Sequence, residues 1–189
     1  TAQSEAVRAI GSANTLVRQK DGTLFADNTD AFGFCCIVDQ CGVSVCGKKA
    51  LVFGSGGASL TAQYVLKTRG ARDVLVISRS GENNYENLAK HADAQILVNT
   101  TPLGMYPNNG ASPVDLTKFP HAEAVLDVVY NPARTALLLQ AEQLGIPHAG
   151  GLLMLVAQAK RSCELFTGNA VPDARIGEIY RTLSVQMQN

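Results

Sequence analysis

The stretch that most constrains this chain is Leu51-Val52-Phe53-Gly54-Ser55-Gly56-Gly57-Ala58-Ser59, an apolar run that breaks into closely spaced glycines and then into a helical pattern. That order predicts a buried strand, a tight turn and a helix start. Gly54 and Gly56 lack the Cβ that stops a backbone from turning sharply or touching a ligand, and a helix opening near Gly57 leaves N–H groups without intrahelical partners. A pyrophosphate suits such a place. A plain strand-to-helix turn uses the same residues, so the neighbouring sequence has to separate the two readings.

The neighbours favour the nucleotide. Gly70 closes the helical segment and residues 73–77 read as a second buried strand, so the glycines sit at the first turn of a βαβ unit. A NAD site usually carries an acid after that second strand, for the ribose hydroxyls; here the residues are Ser78-Arg79-Ser80. A guanidinium flanked by hydroxyls matches a 2′-phosphate better than a free diol and points to NADP, with an exposed surface arginine as the alternative.

Length and charge narrow the class. The 189 residues suit one domain or one and a fraction, 46% hydrophobic and 17% charged, which describes a well-packed soluble globule. Sixteen basic and sixteen acidic side chains cancel, so a nucleic-acid or membrane-surface partner is not expected. No apolar run is long enough to span a bilayer, Thr1-Ala2-Gln3-Ser4-Glu5 does not read as a signal peptide, and a cytoplasmic location is expected. The five cysteines, Cys35, Cys36, Cys41, Cys46 and Cys163, form no C-x-x-C pair and read as reduced packing residues, with a reactive thiol as the alternative. His91, His121 and His148 have no metal-ligand spacing, and no metal is expected.

Before the glycine turn, residues 5–10 read as a short helix ending at Gly11, and 14–18 and 23–27 as a lone hairpin joined through Lys20-Asp21-Gly22. Asn28 or Thr29 is expected to cap the following helix, with Asp30 in its first turn, where a carboxylate is stabilising. After the turn, helices are predicted over 82–91, 135–144, 152–166 and 172–183, and strands over 95–99, 124–129 and 146–149. The loop Thr100-Thr101-Pro102-Leu103-Gly104-Met105 follows a parallel strand, where ligand crevices form. Met154 and Gln158 lie along the edge of the apolar face of the 152–166 helix. The expected fold is α/β, a Rossmann-like doubly wound parallel sheet with helices on both faces, plus a remnant of a second α/β substrate domain.

Six motifs in order carry a family resemblance. Gly11-Ser12-Ala13-Asn14-Thr15-Leu16-Val17, Asn28-Thr29-Asp30 with Gly33, Gly54-Ser55-Gly56-Gly57-Ala58-Ser59, Asn99-Thr100-Thr101-Pro102-Leu103-Gly104-Met105, Asp127-Val128-Val129-Tyr130-Asn131-Pro132 and Gly151-Leu152-Leu153-Met154-Leu155-Val156-Ala157-Gln158 together resemble the shikimate dehydrogenases. The resemblance implies reduction of 3-dehydroshikimate to shikimate with NADPH, on the route to aromatic amino acids, by a monomer or homodimer. It implies that Asn14, Asp30, Tyr130 and Gln158 bind substrate, and that Asp30 is the acid working with a catalytic lysine. It implies a cofactor site made of Gly54, Ser55, Gly56, Gly57, Ala58, Ser78, Arg79, Ser80, Thr100, Pro102, Leu103, Val128, Gly151, Met154 and Leu155.

The chain departs from the family's pattern at its front. The serine pair and catalytic lysine of the family's N-terminal substrate domain have no counterpart, and Lys20, Lys48 and Lys49 do not stand in the required motif. The expected layout is residues 1–28 as the end of a substrate domain, 29–168 as a hinge helix with the NADP-binding domain, and 169–189 as a helix returning to the substrate domain. The expectation is cofactor binding without turnover. A non-catalytic dinucleotide-binding module and a quinate/shikimate dehydrogenase preferring NAD stay open, the latter because Ala31 stands where the family tends to glycine and Ser78 where it often has asparagine, and relatives acting on quinate can prefer NAD.

Overall fold

The computed structural model describes residues 1–187; Gln188 and Asn189, the end of the 169–189 segment, lie outside the described residues. The chain opens with β1 (Ala2–Gln3), α1 (Glu5–Ile10), β2 (Thr15–Arg18) and β3 (Leu24–Asp27), then α2 (Thr29–Cys41). It continues through β4 (Lys49–Phe53), α3 (Gly57–Thr68), β5 (Asp73–Ile77), β6 (Ile96–Asn99), β7 (Ala124–Asp127), α4 (Ala136–Gln143) and β8 (His148–Ala149). Helices α5 (Gly151–Thr167) and α6 (Ala174–Gln186) close it. No helix among the described residues is long and apolar enough to cross a membrane.

Five strands form one parallel sheet in the order β5-β4-β6-β7-β8. The chain steps from β4 outward to β5 and then crosses back past β4 to β6, so the direction of winding reverses between β4 and β6. In an open sheet the ligand crevice lies beyond the carboxyl ends of the strands at that reversal. Every residue of β4 is buried, as a strand covered on both faces requires. Ala50 and Val52 pack with Phe34 and Ile37 of α2 and Val65 of α3, whereas Leu51 and Phe53 pack with Leu116, Phe119 and Leu137 on the opposite face. The chain therefore forms the doubly wound α/β sheet that its sequence predicts.

Two local expectations fail for identifiable reasons. The front is not a lone hairpin: β1 pairs parallel to β3, with Ala2 opposite Phe25, and makes a three-stranded sheet of order β1-β3-β2. A two-residue strand carries no periodicity to read. The helix predicted over 82–91 shrinks to a 3₁₀ turn, Leu88–His91. Asn84 Oδ1 accepts from the backbone N–H of Glu86 (2.9 Å) and Asn87 (3.2 Å), and Asn87 Oδ1 accepts from that of Asn84 (3.0 Å). These side chains take the backbone partners that a helix needs.

Candidate functional site

The glycine turn lies between the end of β4 and the start of α3. Gly54 has φ +106°, and a Cβ there would stand 2.8 Å from Thr100 Oγ1, so both the turn and its packing demand glycine. Gly56 and Gly57 are different. Neither has a positive φ, and nothing lies within 4 Å of where their Cβ atoms would stand. No side chain caps α3, and Ser55, Gly56 and Gly57 are exposed, with Ala58 half-buried behind them. The backbone thus opens onto free space at the positive end of a helix dipole, an arrangement that fits a phosphate group.

Backbone hydrogen bonds line up the neighbouring loops on either side of this turn. Gly54 N–H donates to the Ile77 carbonyl (2.8 Å), next to Ser78-Arg79-Ser80; Thr100 donates to the Phe53 carbonyl through its N–H (2.9 Å) and its hydroxyl (2.7 Å). Val128 N–H donates to the Asn99 carbonyl (3.0 Å) and Gly151 N–H to the Val129 carbonyl (3.1 Å). The result is a row of loops across the carboxyl ends of β5, β4, β6 and β7. Three interstrand steps of ~4.8 Å make it roughly 14 Å long, the scale of an extended dinucleotide. Arg79 and Ser80 are exposed at one end, and Arg79 makes no ion pair among the described residues. The Thr100 hydroxyl is committed to the underside of the turn, which leaves the backbone of that loop to face the row.

At the other end lies a cleft of about 500 Å³. Asn14, Asp30, Tyr130 and Gln158, from four separate segments, line it together with Ala58, Val128, Gly151, Met154 and Leu155. Pro102, Leu103 and the Ser78-Arg79-Ser80 segment do not reach it. Gly151 closes its floor: a Cβ there would stand 2.1 Å from the Val128 carbonyl oxygen, so only glycine lets α5 start against the loop after β7. No lysine is among the described residues lining the cleft. Lys160 of α5 turns instead to Glu164 (2.9 Å) and Asp173 (2.8 Å).

The start of α2 corrects the predicted cap. Asn28 occupies the N-cap position, but its side chain makes no capping bond and donates to the Ser12 carbonyl (3.1 Å). Asn14 does the capping from the loop before β2: its Oδ1 accepts from Thr29 N–H (2.9 Å) and Thr29 Oγ1 (3.2 Å). That leaves its amide to meet Asp30. Burial pushes the Asp30 carboxyl above its ordinary range, and the Asn14 hydrogen bond opposes the shift. Thr29 Oγ1, fully buried, also lies 3.0 Å from Ser162 Oγ and 3.4 Å from Gln158 Oε1, and Ser162 Oγ lies 3.2 Å from Thr15 Oγ1. Sequence reasoning misses Thr15 and Ser162. The only available signal is that Ser162 stands one helical turn beyond Gln158.

Behind the loops sits a second polar group of residues that the sequence leaves without roles. Asp127, Asn99 and Thr135 are fully buried. Asp127 Oδ1 accepts from Asn99 Nδ2 (3.0 Å) and Val129 N–H (3.0 Å), and its Oδ2 accepts from the Thr135 hydroxyl (2.7 Å). Burial pushes the carboxyl up to about 6, against the opposing bonds from Thr135, Val129 and Asn99. A folded-state value above the ordinary 3.8 means stability that is fully present below that pH and lost as pH rises through about 6. The loss amounts to about 3 kcal/mol. Asp127→Asn removes the titration, so urea unfolding from pH 4 to 8 is expected to show the variant gaining on the parent as pH rises. Parallel curves would mean that the carboxyl titrates normally.

No family model matches the chain. Its fold and its row of loops place it among the Rossmann-like α/β proteins, and direct comparisons go further. Over 174 residues it is 40% identical to the shikimate dehydrogenase (NADP(+)) of Caldicellulosiruptor bescii, covering 82% of this chain and 60% of that protein. Over 193 residues it is 32% identical to that of Clostridium perfringens, covering 95% and 71%. A chorismate mutase/shikimate 5-dehydrogenase fusion protein from Clostridium acetobutylicum superimposes with a TM-score of 0.92 at 31% identity, over 100% of this chain and 72% of that one. Shikimate 5-dehydrogenase from Thermus thermophilus, solved in complex with NADP(H) and shikimate, gives a TM-score of 0.81 at 31% identity, over 95% and 71%. The chain belongs to the shikimate dehydrogenase family. It spans 60% to 71% of the length of these two curated relatives.

Proposed function

We propose that this chain binds NADP(H) along the row of loops and contributes the cofactor-holding part, with half of a substrate site, to the interconversion of 3-dehydroshikimate and shikimate. The observation that carries the reading is the pair Gly56 and Gly57. Nothing in the protein requires glycine there, and a ligand lying on the backbone does. Arg79 stands one loop away, free to meet the 2′-phosphate, and Val128 and Gly151 stand at the far end, beside the cleft. In this reading residues 1–28 are the edge of a substrate-binding unit, 29–168 the cofactor unit, and 169–189 the returning helix.

When bound, the nicotinamide supplies the hydride. The chain's own residues orient the substrate and handle a proton. Asn14 and Gln158 offer amide groups to substrate hydroxyls, and Tyr130 flanks the substrate's carboxylate end. Asp30, its carboxyl raised by burial, is suited to share a proton at the reacting oxygen. The lysine that would work with it is not among the described residues of the cleft, so cofactor binding without turnover is the expected behaviour of this chain.

Titration with NADPH, NADP and NADH, followed by an assay of shikimate oxidation, tests the reading. Arg79→Ala is expected to weaken NADPH by roughly 10- to 100-fold, the worth of charge-assisted hydrogen bonds, and NADH by less than about twofold. Equal losses would remove Arg79 as the selector and favour an enzyme of the quinate/shikimate type that prefers NAD.

A further inference from the structure

Asp127, Asn99 and Thr135 are not among the residues lining the cleft, yet they join the two loops that border it. We infer that Asp127 is a positioning residue for the nicotinamide half of the cofactor: its carboxylate fastens the loop after β6 to the loop after β7 and so fixes Val128 and Tyr130 against Gly151. The inference rests on the cofactor reading above and adds a residue to it.

The bonding pattern is divided between the loops. One oxygen of Asp127 takes Asn99 Nδ2 and Val129 N–H, and the other takes the Thr135 hydroxyl, which in turn caps α4 by accepting from Leu138 N–H (3.3 Å). Asn99 also ties down the loop after β6 from within. Its Nδ2 also donates to the Leu103 carbonyl (3.2 Å), and its Oδ1 accepts from Thr101 N–H (2.9 Å) and the Thr101 hydroxyl (2.7 Å). Val129 is clamped at both ends, its N–H by Asp127 and its carbonyl by Gly151 N–H (3.1 Å). Val128, the residue between Asp127 and Val129, therefore has little freedom to move its backbone. A further link, Tyr106 N–H to the Asn131 carbonyl (2.9 Å), joins the same two loops farther out.

Stability alone is a poor reason for this arrangement. Taking a carboxylate fully out of water is costly, and well-packed apolar side chains would hold two strands together at least as well. What a carboxylate adds is direction, because several donors from different loops converge on two oxygens. The network lies at the ends of β6 and β7, whereas Arg79 follows β5, two strands from β6 in the sheet order. Its influence should therefore fall on the nicotinamide end and spare the adenosine end.

That asymmetry sets the experiment. The affinities of NADPH and of adenosine 2′,5′-bisphosphate, which carries the 2′-phosphate but no nicotinamide, are measured for the chain and for Asp127→Ala, Asp127→Asn and Thr135→Val, with unfolding curves alongside. Asp127→Ala is expected to weaken NADPH at least roughly tenfold and the bisphosphate by less than about twofold. Asp127→Asn, which keeps an acceptor for Val129 and Asn99, is expected to recover most of the loss. Should Asp127→Ala fail to fold, Thr135→Val, which leaves the carboxylate in place, carries the test with an expected loss of about threefold for NADPH alone. Parallel losses for both probes, or an unchanged NADPH affinity in a folded variant, overturn the inference while leaving the cofactor reading intact. A parent chain that binds neither probe overturns both.

Discussion

Gly151→Ala is expected to cost roughly 3 kcal/mol or more of stability and to abolish NADPH binding with it. The added methyl group would stand 2.1 Å from the Val128 carbonyl oxygen, 2.5 Å from its carbon and 3.0 Å from that of Val129. All three are backbone atoms, so no rotamer change can relieve the clash, and the loop after β7 or the start of α5 has to move. Gly57→Ala is the informative contrast. Its methyl group meets nothing within 4 Å, and alanine suits the first turn of a helix better than glycine does. The variant is expected to gain up to about 1 kcal/mol while losing affinity for NADPH. Urea unfolding and a fluorescence titration on both variants check the pair; a Gly151→Ala chain as stable as the parent would overturn the requirement for glycine at the start of α5.

Asp30→Asn is expected to separate stability from chemistry. Burial raises the Asp30 carboxyl, so its ionised form costs stability above its own titration, and the neutral amide avoids that cost. At pH 8 the variant is expected to unfold at the same urea concentration as the parent or a higher one. In an enzyme of the length of its curated relatives, the same change is expected to lower turnover roughly 100-fold or more, the usual worth of a positioned proton-transfer group. Normal turnover would return Asp30 to the role of a charge at a helix start.

Much of this architecture is legible before any coordinates. The unbroken apolar run of β4, the breaks at Gly54 and Gly70, and the apolar 73–77 run define a βαβ unit, and burial on both faces of β4 is what makes its pattern continuous. The cleft is less legible. Only the family resemblance points to Asn14, Asp30, Tyr130 and Gln158 together; periodicity alone makes Asp30 a helix-start acid and Gln158 a surface amide. What brings them together is long-range: the packing of α5 on α2 and the approach of Gly151 to Val128, neither of which leaves a local signal. Side-chain capping across the chain is similarly invisible, which is why the sequence points to Asn28 or Thr29 as the cap whereas the capping side chain is that of Asn14. The 82–91 segment failed for the opposite reason, since its asparagines satisfy the backbone locally and outcompete helix formation.

The reach of Asn14 across to the first turn of α2 has an evolutionary corollary. One amide there both holds the start of a helix and lines the cleft, so any change at this position is filtered first by whether the chain still folds. Adaptive change should instead accumulate at Tyr130, a cleft residue that is 45% exposed and caps no helix.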